Sequence, residues 1–144
     1  MPKLFPQPKQ QGEWAEAQFQ ARAAHAGLTV SKPWGDSAPF DFLVGDHEPF
    51  HRVQVRSTSY FLSAGYRCAC HHGADRSKRF TAMEIDFFAV YVIPQDAWYL
   101  IPVGAIPRGR TIVTLFPHFP QARGHYERFR EAWQLLGAGY KGNG

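Results

Sequence analysis

The chain has few of the features that mark secreted or membrane proteins. Its 144 residues include only two cysteines, which excludes the disulfide framework of a small secreted domain. No apolar run approaches the roughly 18 residues that a membrane helix needs, so no membrane partner is expected. The N-terminal segment carries prolines and lysines instead of an apolar signal core, which predicts a cytoplasmic location.

What is present is enough apolar sequence for one folded domain. Hydrophobic residues make up 44% of the chain, which suits the core of a domain of about 100–150 residues. We expect a loose N-terminal arm over residues 1–10, a single domain over residues 11–136 and a flexible tail over residues 137–144. The net charge of +4 favours an anionic partner such as nucleic acid.

The hydrophobic pattern predicts a helix, a sheet of several strands and a final helix. Small apolar residues recur at helical spacing from Gly12 to Gly27, where the glycine is a typical stop. The stretch Ile85–Ile93 is nearly all apolar, which predicts a strand buried on both faces. Apolar residues three or four apart predict a terminal helix over Gln121–Leu136. The other predicted strands start at Leu28 or span Asp41–Val44, Arg52–Thr58, Tyr66–His71, Trp98–Ile101 and Ile112–Leu115.

Two of these predicted strands bring polar side chains together. Asp41 begins the first strand, and Gln54 and Arg56 lie two residues apart on the next. Because successive side chains on a strand alternate between its faces, Gln54 and Arg56 share one face, while Val53 and Val55 point into a core. An acid, an amide and a base at neighbouring strand ends form a usual site for holding a divalent metal ion against a phosphate.

These residues resemble the signature of the PD-(D/E)XK nuclease superfamily. In that signature an acid begins one strand, and the next strand carries an acid, any residue and a lysine. Here Pro-Phe-Asp41 stands at the first acid, and Gln54 and Arg56 stand at the second acid and the lysine. The chain is most similar to the branch of group I intron homing endonucleases, in which glutamine commonly replaces the second acid. The similarity extends over residues 10–107.

The resemblance implies a fold, a reaction and a set of site residues. The fold would be an α/β restriction-endonuclease-like core, with a central mixed β-sheet flanked by helices. The reaction would be Mg²⁺-dependent hydrolysis of DNA phosphodiester bonds, with Mn²⁺ as the alternative ion. Glu16, placed after Gly12 as in the family's helix motif, would join Asp41 and Gln54 in binding the metal, and Arg56 would complete the catalytic set. Cutting both strands favours a homodimer or tetramer, since each chain carries one site.

The departure from the family pattern is Arg56, at a position where even the homing branch has lysine. Arginine stays protonated at any working pH, so Arg56 cannot act as a general base. Its guanidinium can still bind a phosphate through two hydrogen bonds. Three interpretations therefore remain open: a working substitute that stabilises charge, a DNA-binding residue in a catalytically inactive nuclease fold, and an ordinary surface cation.

Cations and hydroxyl groups near the motif predict DNA contacts. The polar stretch His72–Lys78 predicts an exposed hairpin tip, and a two-stranded ribbon of this kind can enter the major groove. Ser57 and Thr58 follow Arg56 and could hydrogen-bond a phosphate. The predicted phosphate-binding cations surround the tip: Arg67, Arg76, Lys78 and Arg79.

A cluster of cysteines and histidines leaves a weaker alternative open. Cys68, Cys70, His71 and His72 follow closely on one another, which invites a zinc-binding module. Zinc sites in loops generally place two to four residues between their cysteines and take a second ligand pair from elsewhere. Here one residue separates the only two cysteines. A strand followed by a histidine-containing tip is therefore the competing interpretation.

Overall fold

The structure is a computed structural model that describes residues 5, 7–73, 78–119 and 124–137. Over these residues a single α-helix, α1 (Pro8–His25), precedes eight strands. Short 3₁₀ helices follow β6, β7 and the last strand, at Ile93–Gln95, Val103–Ala105, Glu127–Phe129 and Trp133–Leu136. The strands are β1 (Thr29–Ser31), β2 (Phe42–Gly45), β3 (His51–Thr58), β4 (Phe61–Leu62), β5 (Gly65–Ala69), β6 (Phe87–Val92), β7 (Ala97–Pro102) and β8 (Ile112–Leu115).

The strands form two sheets. Five strands make the central sheet in the order β1-β2-β3-β6-β7, and three make a smaller sheet in the order β4-β5-β8. In the central sheet β3 and β6 are parallel, while the other neighbours are antiparallel. The predicted α/β class with a central mixed sheet is therefore confirmed.

The central sheet is covered on both faces. On one face, Ala15, Phe19 and Ala23 of α1 pack against alternate residues of the sheet, including Phe42 and Trp98. On the other face, the second sheet packs over the remaining alternate residues, among them Phe88, Val90, Tyr99 and Ile101. Every residue of β6 is buried, as the apolar run had predicted. Its parallel partner β3 is consequently held in the middle of the fold.

Helix α1 ends where expected but begins earlier. Gly27 has a φ of +84°, and its N–H donates to the Ala24 carbonyl at 3.0 Å, so the glycine closes the helix in a left-handed conformation. The helix starts at Pro8, four residues before Gly12, because the fixed φ of proline suits the first helical turn. Residues 8–10 of the expected loose arm therefore belong to the helix.

The prediction of a terminal helix over Gln121–Leu136 is wrong for the described part, residues 124–137. That segment forms two short 3₁₀ turns, and Glu131 between them has a φ of +51°. The Glu131 N–H donates to the Trp98 carbonyl, and the Glu131 carboxylate accepts from the Trp98 N–H, both at 2.7 Å. This pairing with the free edge of β7 satisfies backbone groups that a regular helix would leave open. Tertiary pairing has therefore overridden the helical spacing.

No helix among the described residues has the length and apolar character to cross a membrane.

Candidate active site

The Asp41 carboxylate is fixed to the strand that carries the rest of the motif. Asp41 directly precedes β2, and its N–H donates to the Val53 carbonyl at 2.9 Å. Its carboxylate Oδ2 accepts from the Val55 N–H at 2.8 Å. Burial raises the pKa of Asp41 above its ordinary value, and the Val55 hydrogen bond and the charges of Arg56 and Lys32 counter that rise in part. The site therefore holds a half-buried acid whose charge is incompletely compensated.

Helix α1 brings a second acid to the same place. Glu16 is half-buried on α1. Burial raises the pKa of Glu16, and the negative charge of Asp41 raises it further. The structure thus brings Glu16 and Asp41 together, although 25 residues separate them in the chain. Two carboxylates that interact in a partly desolvated site form an environment that favours a bound cation.

Strand β3 displays Gln54 and Arg56 as its spacing predicted. In the parallel pairing, Gln54 lies beside Phe88 and Arg56 beside Val90, on the face that is turned away from α1. The intervening Val55 is buried on the α1 face. Gln54 and Arg56 are both half-buried at positions where solvent still reaches them.

The Arg56 guanidinium is already engaged by the protein. Its Nη2 donates to the His71 carbonyl at 3.2 Å, and its central carbon lies 5.7 Å from the centre of the Phe80 ring. The guanidinium nevertheless lowers the pKa of Asp41. Arg56 therefore adds positive charge to the site while its side chain is anchored to the segment that precedes the predicted hairpin tip.

Lys32 lies beside the two acids, although no sequence motif predicted it as a site residue. Its Nζ lies 3.5 Å from Glu16 Oε1. The Lys32 charge lowers the pKa of both Glu16 and Asp41. A signal was present, because Lys32 follows a predicted strand that could pair with the strand after Asp41. The register that places the lysine there, Ser31 opposite Leu43, becomes visible only in the folded sheet.

The two hydroxyl residues after Arg56 have partners inside the protein. Ser57 Oγ accepts from Gln11 Nε2 at 3.1 Å, which ties α1 to β3. Thr58 is buried, its hydroxyl donates to the Arg67 carbonyl at 2.5 Å, and it accepts from the Tyr60 N–H at 3.1 Å. The two Thr58 bonds join the end of β3 to β5 and to the residues that precede β4. The DNA contacts of Ser57 and Thr58 stay predictions.

The predicted hairpin is seen at its base. His71 pairs antiparallel with Arg79, and the His72 N–H donates to the Lys78 carbonyl at 2.6 Å. The tip itself, residues 74–77 with the predicted contact Arg76, lies outside the described residues.

The other predicted phosphate-binding cations differ in their surroundings. Lys78 is exposed. Arg79 donates from Nη2 to the Ile106 carbonyl at 3.0 Å. Arg67 is half-buried on β5, and its Nε has no hydrogen-bond partner among the described residues.

The described residues do not assemble the zinc module that was left open. Cys68 and Cys70 are free and buried. The hydrogen bond between the two cysteine side chains and, after it, burial raise the pKa of the Cys70 thiol, which disfavours a metal-binding thiolate. His71 Nδ1 lies 2.7 Å from the Gly73 carbonyl, and His72 Nε2 lies 2.9 Å from the Glu84 carboxylate. In the part of the chain that the structure describes, no group of three His, Cys, Asp or Glu side chains is placed to hold a metal ion.

A mixed sheet that places Asp41 against the strand of Gln54 and Arg56, with a helix acid beside it, defines a nuclease fold of the restriction-endonuclease type. A sequence profile described as PD-(D/E)XK endonuclease matches residues 6–136, and the chain belongs to this family. The resemblance inferred from the sequence is therefore confirmed.

Solved structures of two nucleases are similar to the chain. A bacterial homing endonuclease, I-Ssp6803I, is 24% identical and superposes with a TM-score of 0.74, with 92% of each chain covered. The Holliday junction resolvase Hjc of Archaeoglobus fulgidus is 16% identical with a TM-score of 0.50, over 71% of this chain and 80% of that one. At these identities the similarity shows the fold. No curated protein matches the chain.

Proposed function

We propose that the chain is a metal-dependent endonuclease that hydrolyses phosphodiester bonds in DNA. The observation that carries the proposal is the pair of carboxylates, Asp41 and Glu16, whose pKa values are both raised and whose charges interact. Burial of two interacting acids lowers the stability of the protein at neutral pH, and perturbed pKa values gather at functional sites, so we infer that the pair has a functional task. Membership of the PD-(D/E)XK endonuclease family supports phosphodiester hydrolysis as that task.

The side chains at the site fit a hard divalent ion. Asp41, Glu16 and Gln54 offer oxygen atoms, and Mg²⁺ is typically held by one or two carboxylates while it keeps several of its waters. We therefore propose Mg²⁺, with Mn²⁺ as the alternative. When bound, such an ion lowers the pKa of a water molecule and neutralises charge on a phosphate.

The protein supplies the positions of these groups. Asp41 is held by the Val55 N–H, so its carboxylate cannot swing away from β3. Glu16 lies on α1 and Gln54 lies at the centre of β3, and we propose that both side chains reach the same ion. Arg56, fixed by the His71 carbonyl, adds positive charge on the side of the hairpin and stabilises a bound phosphate.

The direct test is incubation of purified protein with supercoiled plasmid and with mixed duplex and branched oligonucleotides, in Mg²⁺, Mn²⁺ or EDTA. We expect cleavage in either ion and none in EDTA. Linear plasmid formed without accumulation of nicked circles would indicate the homodimer or tetramer that we propose, since each chain carries one site. We further propose that residues 8–136, which include the whole of α1, act as one domain and that the protein works in the cytoplasm.

One observation favours a second candidate, a DNA-binding protein that keeps the nuclease fold but does not cut. Arg56 replaces the family lysine, and its guanidinium is already bonded to the His71 carbonyl. In that case the plasmid would stay intact in every divalent ion, while the oligonucleotides would still be bound.

The raised pKa values predict how ion binding depends on pH. A proton competes with the ion for each carboxylate, and burial raises the pKa of Glu16 above its ordinary 4.5 and that of Asp41 above 3.8. We therefore expect Mn²⁺ affinity to weaken on acidification at a pH above these values. Calorimetric titration over a pH series checks this. An affinity that holds constant down to the ordinary values would contradict it.

The hairpin cations should set the salt dependence of DNA binding. A triple variant in which Arg76, Lys78 and Arg79 are each replaced by methionine should have a shallower slope of log affinity against log salt. The slope should change by about 0.9 for each phosphate that the variant no longer neutralises. Fluorescence anisotropy with a labelled duplex at several salt concentrations measures the slope. Arg22→Met, which removes an arginine paired with Asp96, is the control and should leave the slope unchanged. An unaltered slope in the triple variant would mean that these cations stay solvated at the surface and contact no phosphate.

A further inference from the structure

We propose that Lys32 is a further catalytic residue, whose ammonium group contacts the phosphate that is cut. The inference rests on the proposed nuclease function and adds to it the lysine that the motif itself lacks. Three observations carry it: the position of Lys32 beside both carboxylates, the exposure of its side chain, and the engagement of Arg56 elsewhere.

The sheet register places Lys32 next to Asp41. Strand β1 ends at Ser31, which pairs with Leu43 of β2 in an antiparallel ladder. Lys32 directly follows Ser31, and Phe42 directly precedes Leu43. The Lys32 ammonium lies 5.9 Å from the centre of the Phe42 ring. Asp41 is the residue that precedes Phe42, so the ladder that ends at Ser31 and Leu43 leaves Lys32 close to the site.

The ammonium is held only lightly where it lies. Its Nζ is 3.5 Å from Glu16 Oε1, and the Lys32 side chain is 65% exposed, against 25% for Glu16. An ion pair of this length with an exposed lysine contributes little to stability. The ammonium can therefore move from Glu16 to an arriving phosphate.

Arg56 does not have that freedom. It is half-buried, and its guanidinium donates to the His71 carbonyl, so moving it to a substrate would break that hydrogen bond. Lysine presents a compact charge with three donors on a flexible stem, whereas arginine presents a rigid planar group. The two cations therefore have different roles. Arg56 contributes a fixed charge, and Lys32 contributes a mobile hydrogen-bond donor.

The reaction gives the ammonium a defined role. As a water oxygen bonds to phosphorus and the bond to the leaving sugar oxygen breaks, negative charge builds up on the phosphate and on the leaving oxygen. The water releases a proton to solvent, and the leaving oxygen takes one from solvent. Lys32 donates hydrogen bonds to these oxygens and stabilises the charge that builds up on them.

The test compares Lys32→Met with Lys9→Met, which removes an exposed lysine from the first turn of α1. Single-turnover cleavage of a labelled duplex by Lys32→Met should be about thirtyfold slower than that by the unmodified protein, because solvent screens part of an effect that reaches about a hundredfold at enclosed sites. Lys9→Met should cut at the unmodified rate. Equal rates for Lys32→Met and the unmodified protein would overturn the proposed role of Lys32 and leave the nuclease function standing.

Two further measurements separate catalysis from a structural role. Removing a positive charge beside the carboxylates should leave Mn²⁺ affinity unchanged or stronger, measured by calorimetry, although cleavage falls. Weakened Mn²⁺ binding that accounts for the slower cleavage would contradict the proposal. Alkylating Lys32→Cys with bromoethylamine rebuilds an ammonium at this position and should restore cleavage, whereas iodoacetamide should not. The native cysteines are buried, and the unmodified protein treated in the same way is the control.

The outcomes also distinguish this inference from the function on which it rests. A protein that cuts and needs Lys32 supports both. A protein that cuts equally well without Lys32 retains the nuclease function and loses this inference. An unmodified protein that cuts no DNA in Mg²⁺ or Mn²⁺ overturns both.

Discussion

Asp41→Asn should slow single-turnover DNA cleavage by about a thousandfold, equivalent to about 4 kcal/mol of transition-state stabilisation. The asparagine keeps a side-chain oxygen that can accept from the Val55 N–H, so the strand contact at 2.8 Å is retained. What is lost is the negative charge that we propose to hold the metal. Calorimetry should therefore show Mn²⁺ binding abolished, in a protein that remains folded.

The same substitution should not reduce stability. Because burial raises the pKa of Asp41, its ionised form is disfavoured by folding, and at neutral pH this acid opposes stability. Asp41→Asn is thus expected to unfold at the same or a higher temperature, the usual signature of a residue kept for function. Asp36→Asn, an exposed acid in the preceding loop, is the matched control and should cut normally. Unchanged Mn²⁺ affinity in Asp41→Asn would contradict the assignment.

Much of the sheet could be predicted from the sequence because its signals are local. A strand has a period of two, so Gln54 and Arg56 had to share a face once the strand was recognised. The apolar run at Ile85–Ile93 had no polar face to expose, which required burial on both sides. Residues 124–137 could not be predicted in this way. The spacing of their apolar residues fits a helix, but the conformation that they adopt depends on pairing with the free edge of β7, which is distant in the chain.

The site was predictable only in part, because some of its residues are brought together by contacts between distant parts of the chain. Asp41, Gln54 and Arg56 follow a short motif on neighbouring strands, and Glu16 came from the family's helix pattern. Lys32 belongs to no such motif, and nothing in the spacing alone indicates that it lies 3.5 Å from Glu16. Nor does the sequence show that the Arg56 guanidinium is bonded to the His71 carbonyl. Contacts of side chains across a fold require the register and packing that only the folded chain has.

Arg56→Met should slow cleavage by about a hundredfold, because it removes a fixed charge from the phosphate site and leaves the His71 carbonyl without its donor. We expect Arg56→Lys to cut about tenfold more slowly than the unmodified protein, since lysine keeps the charge but cannot reproduce the planar contact with the carbonyl and the Phe80 ring. Single-turnover cleavage and DNA affinity measured on the same preparations separate catalysis from binding. Arg128→Lys and Arg128→Met, at another arginine placed over an aromatic ring, are the matched controls.

The direction of the Arg56→Lys effect decides between the interpretations of this residue. Slower cleavage with unchanged DNA affinity means that the site has adapted to arginine, with the mobile ammonium supplied by Lys32. Faster cleavage would contradict this, because it would mean that the family lysine was lost and that the natural protein is a weakened nuclease. If neither form cuts in Mg²⁺ or Mn²⁺ while both bind DNA, the fold serves as a binding platform. In that platform the retained pair of Asp41 and Glu16 would have no task, and their raised pKa values would be an uncompensated loss of stability. The persistence of that pair is the physical reason to expect an enzyme that cuts.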